Sequence, residues 1–123
     1  MGLINSLLGN ASDVDVAEIQ EEYEPILGGE ETVEAAFKMV RDLYIFTSKR
    51  LILVDKQGMT GRKTQYLSIP YRAIQQISVE TAGTFDTDSE LRIWVSGQPE
   101  PLTQQLKRGA NVAAIQKALA SAI

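Results

Sequence analysis

The chain has neither cysteine nor histidine. Without cysteine there is no disulfide framework, no thiolate nucleophile, and no cysteine-based zinc or iron–sulfur site. Without histidine it also lacks the usual general base and the commonest metal ligand. These two absences close most catalytic templates, and no carboxylate pair stands out among the 16 acidic residues. No cofactor and no metal are therefore expected. No apolar run approaches the ~20 residues that cross a bilayer. The first basic residue is Lys38, so the start of the sequence has no charged n-region of a secretory signal. A cytoplasmic setting is the expectation.

The remaining composition suits a single globular domain, with 123 residues, 44% hydrophobic and 23% charged. Charge is unevenly spread. Residues 1–37 hold nine acidic side chains and no basic one, whereas residues 38–123 carry a net +5. An acidic leading segment on a mildly basic body favours docking of the one on the other, within a chain or between chains, to the extent that salt allows.

Hydrophobic periodicity gives the elements. Ser12-Asp-Val-Asp15 fits a capping box, with Ser12 as the N-cap. Val16, Ile19, Tyr23, Ile26 and Leu27 recur at helical spacing among Glu18, Glu21, Glu22 and Glu24. Pro25 and Gly28-Gly29 end that helix. Its apolar stripe has to be buried, either on its own body or in a subunit contact. Val33, Ala35, Phe37 and Met39 then alternate as one face of a strand. Leu43–Phe46 and Leu51–Val54 are continuous apolar runs around the polar turn Thr47-Ser-Lys-Arg50, the pattern of a tight, largely buried hairpin.

Further strands are expected at 66–71, 74–81, 90–96 and 102–106, with Pro70 marking a strand end or an edge and Gly97-Gln-Pro99 a turn. Asn111 is placed to cap a closing helix with the stripe Val112, Ile115, Leu119 and Ile123. About seven antiparallel strands and a terminal helix suggest a partly open barrel whose open side the helix plugs. Residues 1–30 form an N-terminal helical extension in this reading, and residues 31–123 form the barrel domain.

The hairpin of apolar run, Thr47-Ser-Lys-Arg50, apolar run and Asp55, joined downstream to Ser68-Ile-Pro-Tyr71 and Ile74-Gln-Gln-Ile77, resembles the bacterial pleckstrin-homology-like domain family over Thr32–Ile123. The resemblance implies a mainly β fold, a PH-like partly open barrel of two near-orthogonal antiparallel sheets with a C-terminal capping helix. It also implies a non-enzymatic module, often self-associating into rings. Relatives that bind phosphoinositides have a roomy, basic first loop and a Trp in the closing helix. Here the link Val40–Leu43 is short and Trp94 lies in a strand.

The candidate sites follow. Val16, Ile19 and Tyr23 are candidates for self-association, joined by Trp94, which strict alternation against Leu91, Ile93 and Val95 turns outward; Trp is enriched in the buried centres of interfaces. Lys56, Arg62 and Lys63 form the alternative, an anion or lipid rim, although Asp42 and Asp55 stand against them. The Gly58-Met-Thr-Gly61 stretch lacks the P-loop spacing and reads as a hairpin loop. Asp86–Glu90 lacks the glycine and the closing glutamate of an EF-hand. The expected partners are further copies of the chain and an unidentified protein, with no nucleic acid and no membrane docking.

Overall fold

The computed structural model describes residues 15–39, 42–57, 63–81, 88–106 and 112–123. Helix α1 (Val16–Tyr23) leads through a 3₁₀ turn, Glu24–Ile26, into seven strands. These are β1 (Val33–Lys38), β2 (Asp42–Thr47), β3 (Arg50–Gln57), β4 (Lys63–Pro70), β5 (Ile74–Thr81), β6 (Ser89–Val95) and β7 (Leu102–Leu106). Helix α2 (Val112–Ala122) closes the chain. The described strands form an antiparallel four-stranded sheet in the order β1-β2-β3-β4 and a three-stranded sheet in the order β5-β6-β7.

The space between the sheets is the main core. Ala35, Phe37, Met39, Tyr44, Phe46, Leu51, Leu53 and Ile69 come from the larger sheet, Ile74, Leu91, Ile93 and Leu106 from the smaller. Val112, Ile115 and Leu119 of α2 complete it, so the closing helix plugs the barrel as its stripe predicts. Ile123 does not join them and is exposed, because α2 ends at Ala122. Phe37 and Phe46 meet edge to face with ring centres 5.7 Å apart, the geometry that the ring quadrupole favours.

A second core lies on the opposite face of the larger sheet. There Val33, Ala36, Ile45, Ile52 and Val54 bury against Ile19 and Tyr23 of α1, with Val16, Leu27 and Leu43 around them. This explains why Leu51–Val54 reads as an unbroken apolar run. Alternate residues face the barrel interior and the helix, so both faces of the strand are dry.

Two local expectations are corrected. Val33, Ala35, Phe37 and Met39 do not share a face, because the β1–β2 register shifts between Val33 and Ala35. Glu34 is the extra residue of a bulge, which sends Val33 to the helix side and Ala35, Phe37 and Met39 inward. The N-cap of α1 is Asp15, whose carboxylate accepts from the Ala17 N–H at 2.9 Å. Ser12, Asn111, the Gly58–Gly61 stretch, Arg62 and Asp86 lie outside the described residues.

Candidate functional site

The three helical candidates sit on their own barrel. Ile19 is 7% and Tyr23 8% exposed, and Val16 packs at the margin of the same cluster. The outer face of the larger sheet is the nearest apolar surface to α1. Side chains buried there have little area left to give a second subunit.

The end of α1 is held by a polar network on the same face. Glu31 is only 5% exposed. Its Oε2 accepts from Arg50 Nε at 2.9 Å and its Oε1 from Arg50 Nη2 at 3.1 Å, the two-point fork typical of guanidinium and carboxylate. Thr47 Oγ1 donates to Oε2 at 2.5 Å, and the Gly28 N–H donates to Oε1 at 2.9 Å. Arg50 also donates to Ser68 Oγ and to the Ile26 carbonyl, both at 2.6 Å.

The Thr47 hydroxyl meanwhile accepts from the N–H groups of Lys49 and Arg50, which folds the two-residue turn between β2 and β3. Tyr71 donates to the Thr47 carbonyl at 2.6 Å. Burial alone would push the Glu31 carboxyl up. The bonds from Arg50, Thr47 and Gly28, with the guanidinium charge, outweigh it and hold the carboxyl down at about 2. Among the described residues every buried side-chain polar atom is satisfied. Thr47-Ser-Lys-Arg50, read from sequence as a plain polar turn, is thus a clamp that fixes residues 26–31 to the hairpin.

The cationic rim is dispersed. Lys56 is opposite Thr64 and Lys63 opposite Gln57. Counting from Val54, which faces α1, and Leu53, which faces the interior, strand alternation sends the two lysines to opposite faces. Arg62 lies outside the described residues. Within the barrel mouth Asp42 and Asp55 are cross-strand neighbours. Burial raises the nearby Tyr44 phenol above its ordinary value, and the charges of these two carboxylates add to the shift.

Trp94 stands apart from both cores. Its neighbours Leu91 and Ile93 are buried while Trp94 is half-exposed, opposite exposed Gln76. Down the same outward face run Arg92 and Glu90, which form an ion pair, and Gln105, which donates to Glu90 at 2.7 Å. Helix α1 packs on the other sheet and does not reach this face.

Sequence reading did not single out Tyr66. It is 53% exposed on β4, opposite Val54, and its ring meets that of Tyr23 in an edge-to-face arrangement with 6.3 Å between centres. The available signal was its place in a strand that ends in proline. Among the described residues no three His, Cys, Asp or Glu side chains come together as a metal group, and no helix is long and apolar enough to cross a membrane.

Comparison with known proteins agrees with this architecture. The family described as bacterial PH domain matches residues 2–123. The chain is 58% identical over 122 residues to the uncharacterized protein YjqA of Bacillus subtilis (strain 168), covering 98% of each chain. It is 32% identical over 71 residues to the uncharacterized protein YozO of the same organism, covering 58% of this chain and 61% of the other. Among solved structures, a pleckstrin homology domain from Shewanella amazonensis SB2B superposes with a TM-score of 0.81 at 58% identity, covering 88% of this chain and 97% of that one. A DUF1696 family protein with a pleckstrin-homology domain from Shewanella loihica PV-4 gives 0.79 at 51% identity, covering 93% and 97%.

Proposed function

We propose that this chain, which belongs to the bacterial PH domain family, is a non-catalytic interaction module that associates with further copies of itself in the cytoplasm. The observation that carries the reading is the apolar surface left over once both cores are filled. Ile26 and Tyr66 are exposed, and Trp94 is half-exposed on an otherwise polar sheet face. Large aromatic side chains in such positions are characteristic of interface centres. Val16, Ile19 and Tyr23 support the reading only indirectly, by sealing the outer face of the larger sheet.

The alternative, attraction to anionic lipid or phosphoinositide through Lys56, Arg62 and Lys63, draws less support. Lys56 and Lys63 face opposite ways, and a lipid surface needs a concentrated basic patch. Two measurements test the proposal together. Sedimentation equilibrium at tens of micromolar is expected to give a mass above that of a monomer. Flotation with vesicles of anionic lipid is expected to leave the protein unbound. A monomer, or salt-sensitive vesicle binding, would overturn the assignment.

A further inference from the structure

The outward face of the smaller sheet belongs to neither core. Helix α1 buries its stripe on the larger sheet, and α2 buries its own between the two sheets. Strand register arranges the outward side chains in rows of direct neighbours. Gln76 lies beside Trp94, Ser78 and Thr103 flank Arg92, and Glu80 and Gln105 flank Glu90. Successive rows stand about 7 Å apart and neighbouring strands about 5 Å apart.

The charged groups of this face are largely matched within it. Arg92 pairs with Glu90, and Gln105 donates to the second oxygen of the same carboxylate. Glu80 adds another acid, so one guanidinium stands against two carboxylates. There is no surplus positive charge to hold a phosphate, a sulfate or a nucleic-acid backbone.

The neutral groups are in the opposite condition. Among the described residues, the Gln76 amide, the Ser78 and Thr103 hydroxyls and the indole N–H of Trp94 have no hydrogen-bond partner. Gln76 and Thr103 are exposed, and Ser78 and Trp94 half-exposed. An amide and a hydroxyl each both donate and accept. A large aromatic surface is thus bordered by neutral groups of both polarities, with N–H groups of Arg92 to spare, its side chain being 40% exposed.

We propose that Trp94, Gln76, Ser78 and Thr103 form a binding site for a neutral saccharide. A pyranose ring has the matching division of chemistry. The C–H groups of its flat side are weakly positive and rest on the negative face of an aromatic ring. The hydroxyls around its rim donate and accept, and here they meet the amide and hydroxyls beside Trp94. A proline-rich peptide is also neutral, but it docks in a groove lined by several aromatic side chains. Trp94 is the sole aromatic residue of β5, β6 and β7. The assignment goes beyond the self-association reading and leaves Ile26 and Tyr66 to it.

Trp94 is the chain's sole tryptophan, so its fluorescence reports on this site alone. The full chain is titrated with three neutral saccharides: maltotriose, cellotriose and tri-N-acetylchitotriose. At least one is expected to shift the emission saturably. On an open sheet face a ligand keeps one side in water, so half-saturation should fall at millimolar concentration. Gln76→Ala with Thr103→Ala removes two hydrogen-bonding groups from exposed positions. It should keep the circular dichroism and the sedimentation mass of the wild-type chain, and weaken binding about tenfold or more.

Three results would overturn the assignment. One is the lack of a saturable shift with all three saccharides, or a shift that the double variant leaves unchanged. A second is a shift produced by deca-proline instead, which would make the face a peptide site. The third is a fall in the sedimentation mass of a multimeric chain on Trp94→Ala, which would put the indole inside a subunit contact. Should the wild-type chain be monomeric, self-association falls, and the titration still decides the saccharide site.

Discussion

Glu31 shows how a single side chain can tie two parts of this fold together. Its carboxylate binds Arg50 of the hairpin, the Thr47 hydroxyl and the Gly28 backbone, and Arg50 reaches on to the Ile26 carbonyl. Removing one partner of a buried pair leaves the other charge uncompensated, so Arg50→Leu is expected to lower the unfolding free energy by about 3 kcal/mol. Urea titration measures it, and the double variant Arg50→Leu with Glu31→Met should recover a large part of the loss. The Glu31 carboxyl sits at about 2 in the fold against 4.5 ordinarily. Its contribution is therefore complete above the unfolded value and is lost as the pH falls from there toward 2. Denaturant midpoints followed from near neutrality downward should fall more steeply for the wild-type chain than for Glu31→Gln.

At Gly97 the backbone adopts φ +87° in the turn that the Gln98 N–H closes onto the Val95 carbonyl. Space for a methyl group is available there, so Gly97→Ala tests backbone conformation alone. It is expected to cost about 1–2 kcal/mol, read from the same titration.

At the scale of elements, α1 is the cover of the larger sheet. Ile19→Ala removes a buried side chain from the cluster with Ile45, Ile52 and Val54 and is expected to cost about 2–5 kcal/mol. Deleting residues 1–30 would uncover that apolar face, and we expect the shortened chain to aggregate, as light scattering would show. The order and type of elements were legible in the sequence because each carries its own period. The alternation Leu91, Ile93, Val95 and the stripe Val112, Ile115, Leu119 need no distant information.

What stayed hidden depends on contacts far apart in the chain. The bulge at Glu34 exists because Val33 has to face α1 while Phe37 faces the interior. The role of Glu31 depends on Arg50, 19 residues away. The opposite facing of Lys56 and Lys63 follows from the β3–β4 register, which the run of residues 58–62 does not announce. The turn Thr47–Arg50 was visible, but its purpose was not: a hydroxyl and a guanidinium look like solvated polarity until their buried acceptor is known.

For the molecule as described, filling two cores on opposite faces of one sheet uses up most of the large apolar side chains among the described residues. Among those left outside are Tyr66, which meets Tyr23 at the margin of the second core, and Trp94, on the outward face of the smaller sheet. Association between copies is the central claim, and the mass of the wild-type chain in solution tests it most directly. Sedimentation equilibrium at tens of micromolar should return at least twice the 13.5 kDa of one chain, falling toward that value on dilution. A single species at 13.5 kDa across the whole concentration range would contradict it.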